Sequence, residues 1–198
     1  MIKQARFLIS NTDVKKCPAP DRPEYAFIGR SNVGKSSLIN MLVGQNSLAK
    51  VSVRPGKTQL INHFIINESW YLVDLPGYGY ANIAISVKEK FQKLISRYIL
   101  DRENLYCLFV LIDIRHKAQL IDIEFITWLG ENHIPFAIIF TKADKLGKVT
   151  VEKNVAAYSK ELSEIWEELP PILVSSSHNG TGREEIISYI EKINTSIS

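Results

Sequence analysis

A phosphate-binding loop is the clearest chemical signal in the sequence. Residues 29–36 read Gly-Arg-Ser-Asn-Val-Gly-Lys-Ser, a spacing in which the glycines let successive backbone amides point at phosphate oxygens. The N-terminus of a following helix adds positive potential there. Lys35 is expected to reach the terminal phosphates of a nucleotide, and the Ser36 hydroxyl to bind Mg²⁺. An ordinary glycine turn is the alternative, which the apolar segment before the loop and the helical pattern after it disfavour.

A second Mg²⁺ ligand is predicted by elimination. Thr58 is the only threonine between Ser37 and Val73, and it lies in Arg-Pro-Gly-Lys-Thr-Gln over residues 54–59. Proline and glycine favour a loop here, which suits a segment that orders around a γ-phosphate. Thr58 is therefore the candidate residue for sensing the metal.

A third motif, Asp-Leu-Pro-Gly over residues 74–77, follows an apolar strand pattern. An aspartate at the carboxyl end of a strand lies beside the phosphate crevice of an α/β sheet, where Asp74 can hold a metal-bound water. The Gly77 amide is placed to meet a γ-phosphate oxygen.

The base is predicted to be guanine. Thr-Lys-Ala-Asp over residues 141–144 ends another apolar segment. The Asp144 carboxylate can accept both adjacent N–H groups of guanine, whereas adenine offers an acceptor at one of those positions, so the site would discriminate against ATP. The Lys142 stem is expected along the base, and a backbone N–H within Ser175–Ser177 is expected to reach guanine O6. An ATP-dependent P-loop kinase is the competing interpretation, and Thr-Lys-x-Asp argues against it.

These motifs need a sheet to hold them. Short apolar segments at 25–28, 106–113, 136–140 and 172–174 alternate with helical patterns, which predicts a mostly parallel sheet with helices on both faces. The helical patterns cover 35–43, 87–100, 120–132, 151–169 and 183–193. Residues 59–66 alternate and are joined by a short turn to 70–74, which predicts a hairpin and one antiparallel edge strand. We therefore expect an α/β fold with six strands, a domain over 25–198, and residues 1–24 as an extension packed on it through Phe7–Ile9.

Composition narrows the protein class. The chain has 198 residues, 45% of them hydrophobic, and two cysteines, so a disulfide framework is excluded. The longest apolar run, Leu105–Ile112, is too short for a bilayer span, and the first six residues lack the apolar core of a secretory signal. We expect a cytoplasmic monomer with no membrane partner.

The net charge of +3 hides an asymmetry along the chain. Residues 1–117 are basic, with 17 Lys and Arg against 9 Asp and Glu, and the remaining residues are acidic. This asymmetry favours an anionic partner, although lysines that only solvate the surface explain it equally well.

In their order, the motifs resemble the EngB (YihA/YsxC) family of bacterial GTPases, in the translation-factor-related class. The more specific matches are residues 29–40, 54–59 and 74–81, with Asp113-Ile-Arg-His and Asp122 as further hallmarks. The resemblance implies a P-loop GTPase fold, a slow GTPase acting in assembly of the large ribosomal subunit, and a role in cell division and septation. It also implies Mg²⁺ at Ser36 and Thr58, with Asp74 acting through water, and a catalytic set of Lys35, Thr58 and Gly77.

The resemblance also assigns the nucleotide contacts. They are Gly29, Arg30, Ser31, Asn32, Val33, Gly34, Lys35, Ser36 and Ser37; Gly56, Lys57, Thr58, Gln59 and Leu60; Asp74, Leu75, Pro76 and Gly77; Thr141, Lys142, Ala143 and Asp144; and Ser175, Ser176 and Ser177.

Three further residues have open roles. Tyr78 stands where many signalling GTPases place a glutamine that orients water, and packing is the role we expect for it. Asn32 matches an asparagine that binds K⁺ in K⁺-activated relatives, although a role in stabilising the loop is the stronger expectation. Arg54 is expected to contact an anionic partner rather than the γ-phosphate.

The helix after the third motif has two predicted faces. Phe91, Leu94, Ile95, Tyr98 and Ile99 recur at helical spacing and are expected in the core. Lys90, Lys93 and Arg97 form a basic stripe, which predicts either a solvated face or contact with RNA phosphates.

Together, the motifs, the resemblance and the basic stripe predict a GTP-driven switch that acts on the large ribosomal subunit and its rRNA. An adaptor that binds a division-site protein, with negligible hydrolysis, is the rival.

Overall fold

The structure, a computed structural model, describes residues 1–49, 60–78 and 85–197; of residues 85–88, 90 and 91 only the backbone is described. The strands are β1 (Ala5–Asn11), β2 (Glu24–Gly29), β3 (Ile61–Ile66), β4 (Trp70–Asp74), β5 (Leu105–Asp113), β6 (Phe136–Thr141) and β7 (Ile172–Val174). The α-helices are α1 (Lys35–Val43), α2 (Ile85–Asp101), α3 (Leu120–Glu131), α4 (Lys148–Ser163) and α5 (Arg183–Ser196). Short 3₁₀ helices cover Val14–Lys16 and Ala143–Lys145. Within this part of the chain, no helix is long and apolar enough to cross a membrane.

The sheet has the strand order β1-β3-β4-β2-β5-β6-β7. The pairs from β4 through β7 are parallel, which confirms the α/β class and the mostly parallel sheet. The count of six strands is wrong, because β1 adds a seventh. The antiparallel strand β3 is therefore internal, between β1 and β4, and β1 forms the edge.

β1 escapes sequence detection for a physical reason. It pairs antiparallel with β3, but its register is interrupted between Phe7 and Ile9, so its side chains do not alternate cleanly between the two faces. Phe7 is 51% exposed and meets Phe64 edge-on at 5.9 Å between ring centroids. Residues 7–9 therefore lie in the sheet, hydrogen-bonded to β3.

The hairpin between β3 and β4 is confirmed. Its turn has three residues, because Ile66 pairs with Trp70, and the first two, Asn67 and Glu68, have positive φ angles of 51° and 52°. The Ser69 amide donates to the Ile66 carbonyl at 2.9 Å and closes the turn. The Asn67 side-chain oxygen accepts hydrogen bonds from the amides of Lys3 and Gln4, which fastens the start of β1 to the turn.

Two apolar layers cover the sheet. On one face, α2, α3 and α4 pack on strand residues such as Ala26 and Val110. On the other face, α1 and α5 pack on residues such as Phe27 and Phe109, whose rings stack at 4.8 Å. Adjacent strand residues thus point to opposite faces, and the central strands are buried on both.

The helices agree with the predicted patterns, with one exception. In α2, Ile95, Tyr98 and Ile99 are buried and Leu94 packs on the core, as predicted, while the side chain of Phe91 lies outside the described ones. The predicted helix at 151–169 is wrong at both ends. α4 begins at Lys148 and ends at Ser163, after which the chain turns to place Trp166 against Phe136.

A charged cluster is buried where β2 begins. The Glu24 carboxylate, fully buried, accepts hydrogen bonds from the Tyr98 hydroxyl at 2.6 Å, from Arg102 Nε at 3.1 Å and from His63 Nε2 at 3.2 Å. Arg102 also donates to the Pro18 carbonyl oxygen. The cluster therefore joins β2, β3 and α2 to the N-terminal connector.

The Glu24 cluster predicts acid sensitivity of the fold. Burial opposes ionisation of Glu24, but hydrogen bonds from His63, Arg102 and Tyr98 outweigh it and lower the pKa from 4.5 to about 2. Because the folded-state pKa is lowered, this stabilisation is complete above about pH 4.5 and disappears as the pH falls towards 2. We expect the free energy of unfolding, measured by urea titration, to fall by about 3 kcal/mol over that window through this group.

Glu24→Gln removes that pH-dependent contribution and leaves Arg102 without a buried counter-charge, so stability at pH 7 falls by about 3 kcal/mol or more. The control Glu68→Gln breaks an exposed pair with Arg6 and leaves stability unchanged within error. A Glu24→Gln variant that keeps the wild-type acid dependence would contradict the assignment.

Candidate functional site

The motif residues meet at one edge of the sheet. Strands β2, β4, β5, β6 and β7 are mutually parallel, so their carboxyl ends lie together. The phosphate loop leaves β2, the Asp74–Gly77 segment leaves β4, the Thr141–Asp144 segment leaves β6 and the serines leave β7. This edge of a parallel sheet is where α/β proteins bind ligands.

The phosphate loop depends on its two glycines. A Cβ at Gly29 would lie 2.8 Å from the Leu111 carbonyl oxygen and 2.9 Å from Val33, so only glycine fits against β5. Gly34 has φ 100° and caps α1, a conformation that favours glycine. The Thr141 hydroxyl donates to the Val33 carbonyl at 2.7 Å, which holds the loop against β6. The loop therefore ends at the N-terminus of α1, as predicted.

Lys35 and Asp74 are brought into contact. The Lys35 ammonium donates to the Asp74 carboxylate, and their side chains are only 11% and 4% exposed. The Asn62 amide lies 3.5 Å from the other Asp74 oxygen. The structure thus joins the phosphate-loop lysine to the aspartate of the third motif.

The donors near this pair suit a magnesium ion. Ser36 follows Lys35 in the first turn of α1 and supplies a hydroxyl, and Asp74 supplies a carboxylate. Mg²⁺ binds oxygen ligands of this kind and keeps several waters. The described residues therefore fit the ion. Thr58, the other predicted ligand, lies outside the described residues.

A cavity of about 200 Å³ lies between α1 and the ends of β6 and β7. Its walls include Gly34, Ser37, Lys142, Asp144 and Ser177. The cavity joins the phosphate loop to the residues predicted to read the base, as a nucleotide that occupies both requires.

Asp144 is held in place within this cavity. The Ser176 hydroxyl donates to Asp144 Oδ1 at 2.7 Å, and this hydrogen bond, together with Lys145 at 3.2 Å from Oδ2, lowers the pKa of the carboxyl. The amides of Ser175 and Ser176 donate to the carbonyls of Phe140 and Thr181. Of the three serine amides, that of Ser177 makes no hydrogen bond among the described contacts, so Ser177 is the candidate donor to the base.

Lys142 forms a wall shared by two cavities. It lines the cavity just described and a second one of about 230 Å³ that includes Asn32, Arg115 and His116. The Lys142 ammonium donates to the Asn32 carbonyl at 2.7 Å and lies 2.9 Å from Asp113 Oδ2. Asn32 has a left-handed backbone conformation, with φ 61°, and accepts Lys142 through its backbone carbonyl; that its side chain stabilises the loop stays a prediction.

The structure describes only some of the remaining predicted site residues. Gly56, Lys57, Thr58 and Gln59 lie outside the described residues, as does Arg54. Leu60, at the start of the next described segment, is 38% exposed. Ser31 and Asn32 are exposed in the phosphate loop, where both line the second cavity.

Asp113 stands in the sequence analysis only as a hallmark of the resemblance and is absent from the predicted nucleotide contacts. This carboxylate ends β5 and accepts two hydrogen bonds from Arg115, at 2.9 Å and 2.7 Å, besides its contact with Lys142. Burial opposes its ionisation, but these partners outweigh burial and lower its pKa. Asp113 fixes Lys142, which borders the cavity that contains Asp144. A charged residue at the end of a long apolar strand, as with Asp74, is the signal that identifies it.

Comparisons with known proteins match the chain to GTP-binding relatives. Residues 24–142 match the family described as 50S ribosome-binding GTPase. The chain is 62% identical over 197 residues to the probable GTP-binding protein EngB of Porphyromonas gingivalis, which covers 100% of this chain and 98% of that protein. The EngB protein of Christiangramia forsetii is 59% identical over 196 residues, covering 99% of each. A crystal structure of a probable GTP-binding protein engB has a TM-score of 0.67 at 26% identity and covers 86% of this chain and 97% of that one.

A single substitution tests whether Asp144 recognises the base. Asp144→Asn replaces one acceptor oxygen by an amide donor, which suits the Watson–Crick edge of xanthine better than that of guanine. We expect GTP affinity to fall by about two orders of magnitude and xanthosine triphosphate affinity to rise, because unpaired buried polar groups are strongly penalised. Fluorescent-nucleotide titration measures both. The control Asp21→Asn, at the opposite end of the sheet, leaves both affinities unchanged. Wild-type GTP affinity in the Asp144→Asn variant would show that Asp144 does not contact the base.

Proposed function

Because the chain belongs to the EngB family of GTP-binding proteins, we propose that it is a molecular switch that hydrolyses GTP slowly and acts in assembly of the large ribosomal subunit. The site belongs to a G domain over residues 25–198, and the extension over residues 1–24 adds β1 to the sheet of that domain. The protein acts in the cytoplasm as a monomer, and its loss disturbs cell division and septation.

One observation carries the nucleotide assignment. The Asp144 cavity opens beside Gly34 of the phosphate loop, and the Lys142 side chain spans from one to the other. A guanine seated on Asp144 and Ser177 would therefore extend its phosphates towards the loop amides and Lys35. Asp144 accepts both N–H groups of guanine and would meet an acceptor on adenine, so GTP is the nucleotide this cavity favours.

The proposed reaction is in-line attack of water on the γ-phosphate. When bound at Ser36 and Thr58, with Asp74 acting through water, Mg²⁺ would neutralise charge on the phosphate oxygens. Lys35 and the amides of the phosphate loop and Gly77 do the same from the protein side. Binding of the triphosphate would replace the Lys35–Asp74 contact, since Lys35 would meet the phosphates and Asp74 the metal-bound water.

The structure also supports the proposed slow rate. Tyr78, at the position of the water-orienting glutamine of signalling GTPases, is 8% exposed and donates its hydroxyl to Asp122 at 2.9 Å. Because the Tyr78 hydroxyl donates to the Asp122 carboxylate, it is not free to orient a water at the γ-phosphate. The isolated protein thus lacks at this position the group that accelerates hydrolysis, and a partner or another residue must supply it.

α2 is the proposed contact with the ribosomal subunit. The helix follows the third motif in sequence, and Lys93 and Arg97 are exposed on it. With Lys90 they form a stripe at positions i, i+3 and i+7 in the basic part of the chain. Phosphates of rRNA are the anions that such a stripe would bind, without sequence readout and with a strong dependence on salt.

Charge reversal of this stripe tests the contact. Lys90, Lys93 and Arg97, all changed to Glu, should weaken co-sedimentation with purified large subunits by at least about tenfold, because three phosphate contacts are lost. GTP affinity should stay at the wild-type value. The comparison is made in GTP and in GDP across a salt titration.

A matched control changes the same charge elsewhere. Lys148, Lys153 and Lys160 are exposed lysines of α4, in the acidic part of the chain, and their reversal to Glu should leave subunit binding near wild type. Equal weakening by both triple variants would assign the effect to net charge rather than to α2. Unchanged subunit binding by the α2 variant would show that Lys90, Lys93 and Arg97 only form a solvated face.

A further inference from the structure

A buried carboxylate outside the nucleotide cavity holds two of the site's loops. Asp122 lies in the first turn of α3 and is 1% exposed. Its Oδ1 accepts the Tyr78 hydroxyl at 2.9 Å and lies 3.3 Å from Arg30 Nε. Burial raises the pKa of Asp122, while Tyr78 and Arg30 oppose that shift. The carboxylate therefore has two partners, one from each of two different loops.

Each of those partners directly follows a glycine of its loop. Arg30 directly follows Gly29, where the phosphate loop leaves β2, and Tyr78 directly follows Gly77 of the third motif. The backbones also meet there, since the Tyr78 amide donates to the Gly29 carbonyl at 3.3 Å and Arg30 pairs with Tyr78 in a parallel bridge. The two loops are thus joined once through the backbone and once through Asp122.

The ring of Tyr78 is fixed as well. It stacks on Phe125 of α3 with centroids 4.6 Å apart and planes inclined by 26°, and Phe125 in turn stacks on Trp128 at 6.1 Å. Arg30 also donates to Gln119, the residue that caps α3. The first turns of α3 therefore receive both side chains, and the position of Gly77 depends on this helix.

We propose that Asp122 is a positioning residue for GTP hydrolysis: through Tyr78 and Arg30 it fixes the Gly77 amide relative to the phosphate loop. This inference rests on the proposed function, because it concerns the same γ-phosphate. Asp122 touches no substrate and acts only through its two partners. A buried carboxylate contributes less to stability than a well-packed apolar side chain would, so alignment of the loops accounts for its presence better than core packing does.

GDP and GTP distinguish alignment from general stability. Only GTP carries the γ-phosphate that the Gly77 amide meets, so displacement of Gly77 weakens GTP binding without weakening GDP binding. A variant that merely loosens the core lowers the melting temperature and affects both nucleotides alike. The ratio of the affinities for a non-hydrolysable GTP analogue and for GDP is therefore the informative readout.

Tyr78→Phe is the sharpest variant, because it keeps the ring stacked on Phe125 and removes only the hydroxyl. Tyr158→Phe is its matched control. Tyr158 is a buried tyrosine of α4 in the same core cluster, and its hydroxyl has no hydrogen-bond partner among the described residues. The two variants lose the same atom, and only one of them loses a hydrogen bond.

We expect Tyr78→Phe to lower analogue affinity by about tenfold, with GDP affinity unchanged, since a hydrogen bond to a charged group is lost. The single-turnover rate of GTP hydrolysis falls by at least the same factor. Asp122→Asn, whose amide oxygen still accepts the Tyr78 hydroxyl, retains most of the wild-type ratio, whereas Asp122→Leu does not. Tyr158→Phe keeps the wild-type values.

An equal loss for both nucleotides, or no loss in Tyr78→Phe, overturns the inference and leaves the proposed function standing. If Asp122→Leu fails to fold, Tyr78→Phe and Asp122→Asn still decide the outcome. Wild-type protein that binds neither the GTP analogue nor GDP would instead refute the proposed function itself. Melting temperatures measured for every variant separate misfolding from misalignment.

Discussion

The contact between Lys35 and Asp74 is the constraint on which the site depends. Both side chains are almost fully withdrawn from water, and an unpaired charge in such a place is costly. Each charge therefore needs the other until a ligand supplies new partners. Because Lys35 begins α1 and Asp74 ends β4, their contact also fixes the phosphate loop against the third motif.

The same arrangement recurs around the site. Asp113 ends β5 and holds Lys142, and Asp122 begins α3 and holds Arg30 and Tyr78. In each case a buried carboxylate at the end of an element holds a side chain from one of the loops that border the cavity. Parallel strands supply the positions of Asp74 and Asp113, because their carboxyl ends meet at one edge, and the first turn of α3 supplies that of Asp122. The loops that border the cavity are thus fixed by contacts with the strands and helices behind them.

The network at Glu24 plays a comparable part at the opposite end of the sheet. There Tyr98 and Arg102, near the end of α2, meet His63 of β3 on one carboxylate. β3 and α2 each follow a segment that the motifs assign to γ-phosphate recognition. The cluster fastens β3 to the C-terminal end of α2, so this part of α2 is a fixed support for the exposed residues Lys93 and Arg97.

The motifs and the sheet are largely predictable from sequence, since they rest on local patterns. Apolar segments of the central strands reveal burial on both faces, and the glycine spacing in residues 29–36 reflects backbone requirements that the structure confirms at Gly29 and Gly34. β1 was not predicted as a strand, because its interrupted register hides the alternation. The part of Asp122 as a shared acceptor was also missed, because it depends on residues 78 and 30, which only the tertiary fold brings together.

The central claim is that this protein is a GTP-specific switch whose own residues hydrolyse the nucleotide slowly. The most direct test is the steady-state rate of phosphate release from GTP and from ATP, by the isolated protein and with purified large ribosomal subunits. The account predicts a GTP rate far below the common enzyme value of about 10 per second, no turnover of ATP, and a higher GTP rate with subunits. A rate at or above that value without a partner, or equal use of ATP, would contradict it.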